Sequence, residues 1–268
     1  MFDTVVHRWL RVPYTLHVTE FRSPKKPQGT IVFVHGLGDS AESWRGVAEK
    51  LPEDVRIIAV DMLGFGQSPK PKWVRYDIAV QAKAVAHTLI QMRLLQRPIV
   101  VGHSMGSLVA IELARRFPLV LKQLVLCSPP LYKATTEEWV GREKMLKDFY
   151  KLVTKHPSEL ERIAPLARNL GITTDVFNVR GENAAVYVAA LESSIINQSS
   201  LDDVRKLHLP IAILYGVFDP VVIGSYLKQL GSEMENVVVK QLPVGHEIVG
   251  PYNRYIVSEI QNLLKPKS

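Results

Sequence analysis

The run Ile99-Val100-Val101 passes directly into Gly102-His103-Ser104-Met105-Gly106, and this junction constrains the chain more than any other stretch. A buried strand, a sharp turn and a helix must follow one another within a few residues. A turn tight enough to lift one side chain above a sheet leaves no room for Cβ atoms at Gly102 and Gly106. Ser107 is small enough to continue the packing, and Leu108 through Arg116 form helix readily, with basic residues at the end before Phe117-Pro118. The junction lifts Ser104 to a helix N-terminus, where unpaired amides and the positive dipole end favour developing negative charge. Ser104 is therefore the candidate nucleophile.

The surrounding pattern is that of an α/β protein. Val5 to Val12 and Tyr14 to Phe21 read as two strands joined around Pro13, which predicts an antiparallel start. Thr30 to Val34 and Val55 to Val60 are then apolar throughout, as buried parallel strands require, with a helix near Ser43 to Leu51 between them. A helix from Ile78 to Met92 leads to the Ser104 junction, and Leu121 to Cys127 adds a strand. From Pro129 to about Leu207 the alternation stops and the pattern is helical, broken at Pro157, Gly171 and Gly181. Ile211 to Tyr215, a helix near Ile223 to Leu230, the strand Val237 to Leu242 and a helix from Tyr252 to Leu264 resume it. The chain thus divides into a sheet core over 1–130 and 206–268 and a helical insertion over 131–205. As a lid, the insertion would exclude water and shape a pocket. Equally, Trp139, Met145, Phe149, Tyr150, Phe177 and Tyr187 could simply hold it together.

A serine hydroxyl needs a base to take its proton during attack. Of eight histidines, His246 is the one in a glycine-bearing loop after the last strand, Pro243-Val244-Gly245-His246, where an imidazole reaches the carboxyl end of the sheet. Asp219, in Gly216-Val217-Phe218-Asp219-Pro220, ends the preceding strand at the same edge and can fix the imidazole tautomer. Asp202 and Asp203 are better explained as caps of a helix start. His35-Gly36-Leu37-Gly38 follows the strand Ile31 to Val34, where oxyanion donors belong, and the backbone amides of Leu37 and Met105 are the candidates. Gly36, Trp44 and His103 are the candidate substrate-binding residues, although core packing explains Trp44 equally well. Asp61 through Ser68 reads as a structural turn supporting the site.

His35-Gly36-Leu37-Gly38, Asp61 through Ser68, Gly102-His103-Ser104-Met105-Gly106, Gly216-Val217-Phe218-Asp219 and Gly245-His246 together resemble the α/β-hydrolase superfamily, in the same order along the chain. The resemblance covers nearly everything outside the insertion. It implies a mostly parallel eight-stranded sheet flanked by helices, an all-helical cap inserted after strand six, and cofactor-free hydrolysis through an acyl-enzyme. Relatives with aspartate at the elbow, the haloalkane dehalogenases and epoxide hydrolases, are disfavoured by Ser104. An acid after strand six is disfavoured by Cys127-Ser128-Pro129-Pro130, which has no carboxylate.

Three activities fit. The first is a carboxylesterase acting on short to medium acyl esters. The second is a carbon–carbon hydrolase of meta-cleavage products, whose mark would be Arg142, Arg162, Arg168 or Arg180 converging on Ser104. The third is a ligand receptor on a hydrolase scaffold. No cofactor or metal is expected, since zinc spacings and glycine-rich phosphate loops are missing from the sequence. The single cysteine, Cys127, reads as a buried core thiol and gives no disulfide framework. The net charge of +7 comes from scattered basic residues and reads as solubility rather than nucleic-acid binding. Met1 to Arg8 lacks a signal-like apolar run, and no segment approaches the roughly twenty apolar residues that span a bilayer. A cytoplasmic monomer or homodimer acting on a small-molecule ester is the expectation.

Overall fold

The structure is a computed structural model that describes residues 4–133, 144, 146, 148, 151, 155, 182–196, 198 and 200–265. Seven strands form one sheet: β1 (Val18–Arg22), β2 (Gly29–Val34), β3 (Val55–Val60), β4 (Ile99–His103), β5 (Gln123–Cys127), β6 (Ile211–Gly216) and β7 (Val237–Leu242). Their spatial order is β1-β3-β2-β4-β5-β6-β7. β1 is antiparallel to β3, and every other pair is parallel. Helices cover both faces: α1 (Arg45–Ala48), α2 (Ile78–Gln91), α3 (Met105–Arg116), α4 (Glu182–Ala190), α5 (Ser200–Arg205), α6 (Gly224–Glu233) and α7 (Pro251–Leu264).

The apolar strands are continuous because both faces are buried. Along β2, Val32 and Val34 join a core with α2 and α3, while Ile31 and Phe33 join a second core with Trp44 and the α7 residues Tyr252 and Ile256. The same two-residue alternation runs through β3, β4, β5 and β6. Asp77 caps α2 by accepting from the Val80 amide at 2.8 Å.

Three expectations differ from the described structure. Val5 to Val12 is not a strand, and the described sheet has seven strands where eight were expected. Thr4–Trp9 instead forms a π-helical turn. Its backbone groups are satisfied locally, with Leu10 N donating to Val5 O at 2.9 Å and Val12 N to Val6 O at 3.1 Å. Arg11 sits at φ 56°, which breaks extended geometry, and the His7 ring stacks on Tyr14 at 3.7 Å. The helix expected over Ser43 to Leu51 is a 3₁₀ turn, Ala41–Trp44, running into the short α1.

Of the expected insertion, Glu182–Ala190, the π-helical Leu191–Ile196 and Ser200–Arg205 are described. Ser193 Oγ donates to Arg75 O at 2.9 Å, Ser194 Oγ to Tyr76 O at 3.0 Å and Gln198 Nε2 to Pro130 O at 2.9 Å, tying this segment to the core. Tyr187 packs against the core. Trp139, Met145, Phe149, Tyr150 and Phe177, and with them Arg142, Arg162, Arg168 and Arg180, lie outside the described residues.

The backbone is closely packed at the Ser104 turn. A Cβ on Gly106 would collide with the carbonyl oxygens of Val34 and His35, and one on Gly102 with the carbonyl of Gly106. Main chain cannot yield as a flexible side chain can. In an exposed helix Gly→Ala stabilises by roughly 1 kcal/mol, but here the sign reverses. Gly106→Ala is expected to destabilise by about 3 kcal/mol or more in urea denaturation, whereas Gly245→Ala, with open space around it, should leave the midpoint nearly unchanged.

Candidate active site

Ser104 follows β4 at φ 51°, ψ −122°, a left-handed conformation that a non-glycine residue holds only where its surroundings enforce it. Here the main chain and one short side chain enforce it: Ser104 N donates to Cys127 O at 2.9 Å, and Ser107 Oγ donates to Gly102 O at 2.8 Å. Asp219 follows β6 and His246 follows β7. Their loops are zipped together by Val217 N to Leu242 O at 2.8 Å and Phe218 N to Val244 O at 3.1 Å. A Cβ on Gly216 would strike the Val244 carbonyl, so glycine lets these loops approach.

The three side chains meet at the carboxyl edge of the sheet. His246 Nε2 lies 3.1 Å from Ser104 Oγ, and His246 Nδ1 lies 2.9 Å from Asp219 Oδ2. Asp219 Oδ1 accepts from the Val221 amide at 2.8 Å and the Val222 amide at 3.2 Å. These acceptor bonds fix the carboxylate, which fixes the imidazole with Nδ1 as donor and Nε2 facing the serine. All three residues are buried, Ser104 at 8% exposure, Asp219 at 2% and His246 at 4%.

The loop after β2 lies beside them, since a Cβ on Gly36 would fall 3.3 Å from Ser104 Cβ. Among the described residues neither the Leu37 nor the Met105 amide donates to a protein acceptor. His35 shapes this loop with both ring nitrogens. Nδ1 donates to Gly36 O at 2.7 Å, and Nε2 accepts from the Met62 amide at 2.9 Å.

Two expected substrate-binding residues have other work. Trp44 is fully buried beneath the site and stacks on Phe33 at 4.4 Å, so it belongs to the core and cannot line an open pocket. The buried His103 donates from Nε2 to the His246 carbonyl at 2.9 Å, fastening the base's backbone. Asp61 builds the neighbouring turn: Oδ1 accepts from the Ala41 amide at 2.7 Å, and Oδ2 from the Gln67 amide at 2.8 Å and His17 Nδ1 at 3.1 Å.

Several contributors carry no clear signal in the sequence. The Ser128 hydroxyl hydrogen-bonds the Asp219 carboxylate and lies 3.2 Å from Tyr252 Oη, which donates to Leu214 O at 2.7 Å. Ser128, at φ 49°, occupies the position after β5, where the sequence carries no carboxylate. Asp39 and Glu247 place two further carboxyls near the site. Among the described residues no group of three His, Cys, Asp or Glu side chains could hold a metal ion, and no helix is long and apolar enough to cross a membrane. Cys127 is fully buried, and burial pushes its thiol pKa up.

Burial and charge sort the titrating groups. Burial alone would lower the His246 pKa, but the charge and hydrogen bond of Asp219, with the charge of Glu247, outweigh it and leave the pKa above 6.5. Burial likewise opposes ionisation of Asp219, yet His246, Ser128 and the Val221 amide hold it below 3.8. His103 has no comparable anion, and burial with the neighbouring His246 charge lowers it to about 3. For Glu247, burial with the Asp39 and Asp219 charges raises the pKa to about 8, against the His246 charge. The raised His246 pKa stabilises the fold fully below its unfolded value and ceases to do so as pH rises through the folded one. The lowered Asp219 pKa stabilises above 3.8 and is lost as pH falls through the folded value.

Comparison with known proteins places this arrangement. A family model described as the α/β-hydrolase fold matches residues 29–248, and the chain belongs to that family. It is 25% identical over 257 residues to "Uncharacterized hydrolase YugF" of Bacillus subtilis, covering 88% of this chain and 90% of that protein. It is 29% identical over 164 residues to "Probable lysophospholipase BODYGUARD 2" of Arabidopsis thaliana, covering 58% of this chain and 35% of that protein. The match thus spans about a third of the length of that relative. In three dimensions the fold is similar to that of an esterase from Exiguobacterium antarcticum, with a TM-score of 0.72 at 19% identity over 94% of this chain and 96% of that one.

An imidazole pH titration by NMR tests the electrostatics. His246 should titrate above 6.5, while His103 should stay neutral down to about pH 3 or until the protein unfolds. Asp219→Asn should bring the His246 midpoint below its parent value, because burial then lacks its main opponent. A parent midpoint at or below 6.5 contradicts the assignment.

Proposed function

We propose that this chain is a serine hydrolase of carboxylic esters. The observation that carries the reading is the continuous run from Ser104 Oγ through His246 to Asp219, at 3.1 Å and 2.9 Å. Ser104 Oγ attacks the ester carbonyl as His246 Nε2 takes its proton. Asp219 keeps the imidazole in the required tautomer and stabilises the imidazolium. The Leu37 and Met105 amides hold the oxyanion, a contribution of about 3 kcal/mol for each donor. His246 returns the proton to the leaving alcohol, leaving an acyl-enzyme. Water, deprotonated by the same histidine, attacks the acyl carbon; the acid product departs and Ser104 regains its proton.

Relatives and neighbours named as lysophospholipase and esterase favour ester substrates over carbon–carbon bonds. The arginines that would mark the carbon–carbon reaction lie outside the described residues. We take the acyl preference to be short to medium, as an apolar lid would select. Neither nucleic acid nor a cofactor enters the scheme. A receptor would bind its ligand with turnover too slow to matter, so turnover separates that reading from an enzyme.

The test is hydrolysis of p-nitrophenyl esters from acetate to dodecanoate. Turnover is expected at the short to medium chain lengths. Ser104→Ala should lower kcat by about 10⁶-fold and Asp219→Asn by about 10⁴-fold. Activity should rise with pH as His246 loses its proton, so the acid limb of kcat/KM should lie above 6.5. No turnover across the series, or turnover that survives Ser104→Ala, overturns the reading.

A further inference from the structure

A cavity lies between the N-terminal segment and α2. Its volume is about 280 Å³, room for on the order of ten non-hydrogen atoms at roughly 30 Å³ each. None of its lining residues belongs to the run from Ser104 to Asp219 or to the loop after β2.

The wall is aromatic and aliphatic. His7 stacks on Tyr14 at 3.7 Å, and Trp73 approaches Tyr14 at 6.1 Å with its ring tilted by 40°. Leu63, Val80 and Ala84 complete it. The Leu63 peptide is rigid, because its amide donates to Gln81 Oε1 at 2.9 Å and its carbonyl accepts from Gln81 Nε2 at 2.8 Å.

The rim is cationic. Arg11, Arg75 and Lys83 line the cavity and are solvent-exposed. Among the described residues no carboxylate makes an ion pair with any of them. Asp77 is the one carboxylate of the lining, and its Oδ1 accepts from the Val80 amide as the cap of α2. Three cations therefore face one carboxylate already held by the backbone. Beside them Trp9 is 77% and Leu10 68% exposed, so apolar surface continues outward past the charged rim.

An apolar floor beneath unpaired cations matches one ligand chemistry. We propose that this cavity binds an anionic amphiphile, with its alkyl or aryl portion against Tyr14 and Trp73 and its phosphate or carboxylate head among Arg11, Arg75 and Lys83. The guanidinium groups suit acidic oxygens through bidentate hydrogen bonding, and the rings supply contact area for the chain. The inference does not rest on the ester-hydrolase reading, since it shares no residue with it.

Octyl phosphate is the probe, followed by calorimetry and Trp fluorescence on the full chain. The parent should bind octyl phosphate and octanoate, and bind octanol or inorganic phosphate at least tenfold more weakly. The double variant Arg75→Glu with Lys83→Glu should weaken octyl phosphate at least tenfold while Ser104→Ala leaves its affinity unchanged. An unaltered melting transition checks that the variants fold, and Trp73→Ala, at a partly exposed side chain, provides an independent loss of the apolar wall. Co-sedimentation with phosphatidylglycerol vesicles but not phosphatidylcholine vesicles, abolished by the double variant, assigns the head group to membrane lipid. Soluble binding without sedimentation assigns it to a free amphiphile. The proposal is overturned if the parent does not bind octyl phosphate, if the double variant binds it like the parent, or if octanol or inorganic phosphate binds as tightly.

Discussion

Everything at the serine depends on how closely the backbone of Gly106 approaches the carbonyls of Val34 and His35. That approach packs the first turn of α3 against the end of β2, so the helix N-terminus and the loop carrying Leu37 arrive at one point. Ser104 is then forced to φ 51° because the chain must leave β4 and enter α3 without room for a wider turn. The strain is local, and the sheet that opposes it is fully buried along β2 and β4. A strained residue persists where its surroundings over-determine it. Here the surroundings are main-chain hydrogen bonds and two apolar cores rather than flexible side chains.

The same economy governs three buried histidines. His35 uses both nitrogens to fasten the loop after β2 to the turn after β3, and burial lowers its pKa. His103 uses Nε2 to hold the His246 backbone. His246 is the one held against an ionised carboxylate, and it alone of the three has a raised pKa. One side-chain type thus performs two structural tasks and one that suits proton transfer. The difference lies in whether an anion lies within hydrogen-bonding reach.

This division explains what the residues revealed before folding was considered. The parallel strands were legible because burial on both faces demands apolar runs, and Val55–Val60 and Ile211–Gly216 show them without interruption. The meeting of Ser104, Asp219 and His246 at one sheet edge was foreshadowed by Gly102, Gly106 and Gly216, where close main-chain contacts leave no room for a Cβ. Val5 to Val12 misled because a row of valines looks like a strand, whereas pairing depends on an available partner edge. The segment found its hydrogen bonds within itself and its packing on Tyr14. Trp44 was ambiguous because a large aromatic near a site and one beneath it look alike in one dimension. Ser128 was invisible as a supporting group, since its value comes from lying near Asp219 and Tyr252, far away along the chain.

The carboxyls around His246 show why a single one of them dominates. Burial works against ionisation at Asp39, Asp219 and Glu247 alike, and it raises the first and last. Burial with the Asp39 and Asp219 charges raises the Glu247 pKa to about 8, so Glu247 ionises less readily than Asp219. Asp219 escapes because it accepts hydrogen bonds from the His246 ring, the Ser128 hydroxyl and the Val221 amide at once. Charge is thereby concentrated on the far side of the imidazole from Ser104, where it raises the His246 pKa. Desolvation and hydrogen bonding therefore act as a selector, favouring ionisation at Asp219 and opposing it at Asp39 and Glu247.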